Sequence, residues 1–554
     1  MTRFAGALGF FLLLAPAAIA QEDGRLPPSG VATDAEVREW PTPGEQRGWF
    51  APTTPGELGD YLTVLADSFE QMSLDTLALV GGGPVEPDSV LPVLLARVRG
   101  PDPGRSERVR VLVLGGQRGD EPSGLEVSAQ MIRGLVVGDV GALLADLDVA
   151  FVPAVNPWGL LWWVRDDPSG VDPAHDHTLL RSPASKAVHE FVSEWQPHLV
   201  VELREIGPTV YRVQAGLPKH PNVDPELSRY GRFYLLPYVA NELARASVVF
   251  REHVVAEPEP EERSPLVGGA GGLPEGGYLT PGPLGADRAR NAFALEGSLS
   301  IMLGVASIDG AEGLPSRVEM LYMSLGHLLE VAAAQGDGLR ERALKAGLGP
   351  HDSASVPPVL SLRHTYERDE GRPDLVWLIW NDRGQIISET TDRWRSVVRR
   401  QLVLPMPAAW LIDPAGREWV DLVESHGFAV ERLSREVKIE VASYPVGAAG
   451  QLPLGIGDAL PLDAAPDGSI LLVRGERRFP EGAWVVRSRQ PGARLLFALI
   501  EPWSQDAPLG REASPESRDA EDYIYPVHRI DVDTLERLRT EPAAPGAAPG
   551  RGTD

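Results

Sequence analysis

Glu121 closes the stretch Gly115-Gly116-Gln117-Arg118-Gly119-Asp120-Glu121-Pro122, which follows an apolar run, and a second acidic stretch, Glu202-Leu203-Arg204-Glu205, ends another. A carboxylate at a strand end is suited to ligating a cation or taking a proton, yet each stretch sets an arginine beside it. Arginine stays protonated and offers no acceptor lone pair, so neither Arg118 nor Arg204 can ligate a metal. What such a pair can do is donate charge-assisted hydrogen bonds to carboxylates.

Other donors are scattered. Asp172, His175, Asp176 and His177 form a dense cluster. Histidines two apart share a face only on a strand, and this segment sits beside a proline-containing turn. His327 and Glu330 make a literal H-x-x-E, inside a helical stretch where a spacing of three predicts a surface pair. Arg118-Gly119-Asp120 spells an adhesion tripeptide, but at a strand end of a core domain it is a coincidence. With no cysteine there is no thiol nucleophile, disulfide framework or cysteine zinc site. No G-x-S-x-G elbow is present either.

Taken in chain order, these segments resemble the zinc carboxypeptidase (carboxypeptidase A-like) family, in the form of its large secreted bacterial members with an extra C-terminal region. The family's turn G-G-x-H-G-D-E-P is matched by Gly115 to Pro122, and its V-N-P-x-G by Val155-Asn156-Pro157-Trp158-Gly159. Arg165 precedes Ala174 at the spacing of the family's carbonyl-polarising arginine. Gly170-Val171-Asp172-Pro173-Ala174-His175 stands for G-V-D-L-N-R, which puts Ala174 and His175 where the family grips a terminal carboxylate. Glu202-Leu203-Arg204-Glu205 matches a D-L-H-E strand end, and Ser300 to Gly304 matches the strand of the general base, with Gly304 in the glutamate's place.

The resemblance therefore implies the family's fold and departs from its chemistry. Glu121 falls on the glutamate zinc ligand, while Arg118 and Arg204 fall on the two histidine ligands. Two arginines and one glutamate carry the same charge as Zn²⁺, two neutral histidines and one glutamate. The expectation is that both guanidiniums converge on Glu121 in place of the metal.

The elements that must hold these residues read as an α/β pattern. A helix is predicted over Pro55 to Met72. Apolar, β-branched runs follow at Thr76 to Val80, Val90 to Val98, Val109 to Gly115, Val149 to Val155, Leu199 to Leu203 and Leu299 to Leu303. Helical patterns at Ser123 to Val137, Ser182 to Trp195 and Arg317 to Lys345 alternate with them. Strands buried on both faces and interleaved with helices predict an α/β/α sandwich around a mixed sheet. Residues 255–290 carry an acidic, Pro- and Gly-rich insertion, read as a flap near a pocket. From Pro357 onward, short strands with turn signals and one helix around Glu418 to His426 predict a C-terminal β-rich region.

The expected organisation is a signal peptide over 1–20, a leader over 21–54, the carboxypeptidase-like domain over 55–350, the β-rich region over 357–540, and a disordered tail over 541–554. Arg3, the apolar run Phe4 to Leu14 and Ala18-Ile19-Ala20 have the layout of a secretory signal, so an exported protein, periplasmic or extracellular, is expected. No later apolar run is long enough for a membrane span. A net charge of -26 over 554 residues leaves no basic surplus for a nucleic acid partner.

These observations predict a pseudo-peptidase that binds a peptide, a protein or another carboxylate-bearing ligand in a pocket lined by Arg118, Glu121, Arg165, His175 and Arg204, with no cofactor. The competing expectation is an active carboxypeptidase or amidase whose zinc site is rebuilt from Asp172, His175, His177 and Glu121.

Overall fold

Each apolar run becomes a strand. In a computed structural model, β1 (Met72–Gly81), β2 (Val90–Val98), β3 (Val109–Leu114), β4 (Leu147–Val152), β5 (Leu199–Ile206), β6 (Val213–Gly216) and β7 (Phe250–Glu252) are followed by a small ribbon, β8 (Val255–Glu257) with β9 (Tyr278–Thr280), and then by β10 (Leu299–Ala306). Apart from the ribbon, these strands form one sheet in the order β1-β2-β4-β3-β5-β10-β6-β7. The pairs β3–β4, β3–β5 and β5–β10 are parallel, whereas β1–β2, β2–β4 and β10–β6 are antiparallel, so the sheet is mixed. The structure describes residues 39–82, 89–100, 102, 107–257, 277–307, 313–347, 358–371, 374–380, 385–444, 472–507 and 526–542. The expected signal peptide, much of the leader, most of the flap and nearly all of the tail lie outside the described residues.

Period-two alternation sorts the central strands between two cores. Val111 and Val113 of β3 join Val201 and Leu203 of β5 beneath helices α1 (Pro55–Ser68), α2 (Ser123–Val136), α5 (Leu236–Arg245) and α7 (Leu314–Ala334). Leu112, Leu114 and Val200 face the other way, against α3 (Pro157–Trp162), α4 (Pro183–Trp195) and α6 (Ala289–Glu296). This is the expected α/β/α sandwich. The long helical stretch divides at Gln335, and α8 (Gly336–Gly347) continues it. Helix α1 starts where Thr54 and Glu57 cap each other's backbone, with Pro55 at the first helical position.

In the C-terminal region, β11 (Val359–Glu367) pairs with β14 (Val397–Pro405), and β12 (Leu375–Trp380) with β13 (Ile386–Thr391). Strands β15 (Ala409–Ile412), β16 (Glu431–Leu433), β17 (Val437–Ser443), β18 (Val473–Phe479), β19 (Trp484–Arg487), β20 (Val527–Ile530) and β21 (Thr540–Pro542) make a seven-stranded antiparallel sheet. The expected helix near Glu418 is α9 (Arg417–Ser425). A second one, α10 (Ala493–Ile500), was not expected. Its eight residues are apolar except for Arg494, and the other seven are buried. They join a core that also takes Ala294 and Leu295 from α6, so the two regions share packing. Among the described residues no helix is long and apolar enough to cross a membrane.

At the centre of that shared core Trp410 is fully buried, and its indole nitrogen donates to Glu501 Oε1 at 2.8 Å. Trp410→Ala is expected to cost about 3–5 kcal/mol from the cavity it leaves. Trp410→Phe should cost less, about 1–3 kcal/mol, mainly from the lost hydrogen bond. Urea denaturation of the full chain measures both.

Candidate functional site

The parallel strands β3, β5 and β10 end together at one edge of the sheet, where α/β folds commonly place ligands. The turn after β3 needs its glycines. Gly116 has φ +52°, and a Cβ on Gly119 would stand 1.9 Å from the backbone of Gly159. The packed turn aims Arg118 and Glu121 toward β5, and parallel register sets Gly304 beside Arg204.

The two guanidiniums do converge on Glu121. Arg204 donates twice, Nε to Oε2 at 2.7 Å and Nη2 to Oε1 at 3.0 Å, and Arg118 Nη1 reaches Oε1 at 3.4 Å. The Glu205 backbone N–H adds a bond to Oε2 at 3.0 Å. Burial alone would raise the Glu121 pKa, but the adjoining Arg204 and Arg118 charges outweigh it and hold the carboxyl below its ordinary range. The same pairing with Glu121 and Glu202 outweighs the burial of Arg204 and keeps it firmly protonated.

Two more carboxylates join, which the simple charge balance omitted. Arg204 Nη1 donates to Glu202 Oε1 at 2.7 Å, and Arg118 Nε to Asp172 Oδ2 at 3.0 Å. Arg118 Nη2 meets His175 Nε2 at 2.7 Å, and burial with Arg288, Arg118 and other arginines nearby depresses that imidazole to about 2. His175 is thus a neutral acceptor. With three carboxylates to two guanidiniums, the cluster is not positive by itself.

The rebuilt metal set does not gather. Glu121, Asp172 and His175 are all engaged by Arg118, while His177 turns away to Gln117 Oε1 at 3.0 Å and His189 Nε2 at 3.1 Å. The cause is local: Pro173–His175 forms a 3₁₀ turn rather than a strand, so the two histidines diverge. Arg165 also lies apart. Its side chain is 54% exposed and stands 3.5 Å from Asp120. The pair His327–Glu330 is buried rather than superficial, with Nδ1 and Oε2 2.9 Å apart.

Beside the cluster lies a cavity of about 930 Å³, lined by Arg118, Arg204, Glu205, Gln214, His253, Arg288, Arg290 and Met302, with Trp377 to Ile379 of β12 on its far wall. Arg288 and Arg290, which the sequence reading missed, restore the positive charge. Arg290 is buried against Gly216, where a Cβ would come within 2.0 Å of its Nη1, and that nitrogen has no hydrogen-bond partner among the described residues. Burial lowers Arg290 to about 10, Glu202 pulling the other way, so it stays charged at neutral pH. No family motif covers this segment, so the only signal for it was two arginines at the end of the insertion read as a flap near a pocket.

Sequences named carboxypeptidase 2 run alongside most of this chain. That of Trichophyton tonsurans is 22% identical over 445 residues, and that of Trichophyton equinum 21% over 447, each covering 77% of both chains. The chain is carboxypeptidase-like. No family model matches it. Among solved structures, it is similar to a metallo-carboxypeptidase from Burkholderia cenocepacia (16% identity, 52% of this chain and 71% of that one, TM-score 0.39). It is also similar to carboxypeptidase A from Helicoverpa armigera (12% identity, 52% and 75%, TM-score 0.40). Both overlays are loose.

Zinc in such an enzyme needs neutral imidazole or carboxylate donors and an open position for water. The residues that the motif spacing assigns to that place do not fit. Arg118 and Arg204 have no lone pair to give, and they occupy both oxygens of Glu121. At Gly304, which the motif spacing assigns to the base, a Cβ would lie 2.8 Å from Ile206 Cγ2 and 3.0 Å from Met302 Sδ, so a side chain there needs these neighbours to shift.

Glu121→Gln is expected to cost about 3–5 kcal/mol at pH 7, because it strips a buried charge from its partners. The wild-type carboxyl titrates below its ordinary value of 4.5 when folded. Its contribution is therefore full above that pH and is lost as pH falls through the folded value. Denaturation midpoints of both proteins from pH 7 downward should converge below that value.

Proposed function

We propose that this chain is an exported pseudo-peptidase that binds carboxylate-bearing ligands, peptides foremost, and does not cleave them. The observation that carries the reading is the pair of guanidiniums locked on Glu121, at the place where the motif spacing puts a metal donor set. The proposal keeps the expected organisation: an export signal over 1–20, the carboxypeptidase-like domain over 55–350, the β-rich region over 357–540 and the terminal tail.

The binding half of the proposal rests on Arg290 and Arg288 rather than on Arg118 and Arg204, whose donors are spent on internal carboxylates. A buried guanidinium nitrogen with no partner is costly, and an incoming carboxylate removes that cost. In a chain of net charge -26, an arginine-rich cavity also concentrates the field that steers an anion. The volume suits a ligand of a few residues.

Titration calorimetry with a short peptide and its C-terminally amidated twin tests this. The free acid should bind at least about 10-fold more tightly, and Arg290→Met should erase the difference, as expected for a charged hydrogen bond worth about 1.5–3 kcal/mol. Mass spectrometry of the same peptide after incubation with added zinc should show it intact. Peptide turnover, or equal affinity for acid and amide, would sink the proposal.

A further inference from the structure

Beneath the cavity, Glu202 begins a chain of hydrogen bonds that fixes the tautomer of each histidine along it. Gln117 Nε2 donates to Glu202 Oε1 at 3.0 Å, so its Oε1 accepts from His177 Nε2 at 3.0 Å. His177 Nδ1 must then be the acceptor, and His189 Nε2 donates to it at 3.1 Å. That leaves His189 Nδ1 with a bare lone pair. It lies 3.0 Å from Glu296 Oε1, out of line for a hydrogen bond.

A third donor closes the group. His426, at the C-terminal end of α9, donates Nε2–H to the Thr178 carbonyl at 3.1 Å, so its Nδ1 also carries a lone pair. His189 Nδ1, Glu296 Oε1 and His426 Nδ1 are all buried and without hydrogen-bond partners among the described residues. One ligand atom from each of the three residues lies within 4.8 Å of the others. Donors sharing a tetrahedral zinc stand about 3.4 Å apart, given bonds of about 2.1 Å, so small side-chain rotations close the group.

Burial raises the Glu296 carboxyl to about 8, so at pH 7 the group carries a proton on Glu296, which a joining cation displaces while it gives all three acceptors a partner. We propose that His189, Glu296 and His426 form a buried binding site for a zinc-class divalent cation, distinct from the family's zinc position. Two imidazoles and one carboxylate are donors that zinc prefers. The outer bonds are those of ligating histidines: one ring N–H is held by a backbone carbonyl and the other by a further side chain. Burial depresses both imidazoles to about 3, so they are neutral at pH 7. The Glu296 side chain as a whole remains 12% exposed, although its Oε1 is buried. Since His189 and Glu296 belong to α4 and α6 while His426 caps α9, the ion ties the α/β sandwich to the C-terminal region.

The other buried histidine–carboxylate group is unlike this one. There His220 Nε2 donates to Asp506 Oδ2 at 3.0 Å, the Ala286 N–H donates to Asp506 Oδ1 at 2.8 Å, and His220 Nδ1 accepts from Asn222. Its hydrogen bonds are complete without an ion.

The test is zinc chloride titrated into chelator-treated full-length protein. One equivalent should bind and raise the thermal midpoint. Glu296→Gln and His426→Ala should abolish both effects, whereas Glu121→Gln should keep the equivalent. X-ray absorption at the zinc edge of the wild-type complex reads the ligands without any variant, and should give two imidazoles and a carboxylate. A wild-type chain that takes up no zinc, a zinc shell lacking imidazole, or uptake unchanged in Glu296→Gln overturns the proposal.

Discussion

A buried carboxylate with four donors around it organises one end of the sheet. Glu121 takes two bonds from Arg204, one from Arg118 and one from the Glu205 backbone, so the turn after β3 is fastened to the end of β5. Leaving any of these charges unpaired in the interior costs more than the pairing gains, which makes the cluster an all-or-none feature. The consequence is chemical as well as structural. A carboxylate whose lone pairs are filled by guanidiniums is closed to a metal.

From that fastening the rest of the site radiates along the strand faces. Glu202 and Arg204 lie two apart and point to the same side of β5, which is how one guanidinium joins both carboxylates. Glu205 points to the opposite side, where it accepts from the Ser123 N–H at the start of α2 and stands 3.1 Å from Arg317 of α7. Through Gln117 and His177 the network reaches His189, so the orientation of a distant imidazole is set by the carboxylates at the strand end.

Most of the sandwich was legible because its strands are apolar on both faces and its helices keep a clear period. The positions of Arg118, Glu121 and Arg204 were legible for a different reason: each falls in a motif with fixed spacing around strand ends. Glu202 was visible in the same motif, and strand periodicity alone places it beside Arg204. Arg288 and Arg290 were not, since only the packing of α6 against the sheet brings them to the cavity. His175 and His177 were grouped as metal donors because they crowd one short segment with Asp172 and Asp176, and a 3₁₀ turn separated them. Helix α10 is a run of only eight residues, apolar except for Arg494, and an apolar run that short fits a buried strand as well as a helix. His189, Glu296 and His426 could not be joined from sequence, as their meeting depends on how α9 docks against α4 and α6.

The central claim is that guanidiniums have taken the metal's place at Glu121. Anomalous diffraction at the zinc edge, from crystals grown with zinc chloride, tests it most directly. The expected map has no anomalous peak within bonding distance of Glu121, with Arg204 still donating to both carboxylate oxygens. A peak on Glu121, with Arg118 and Arg204 swung away from it, would contradict the claim.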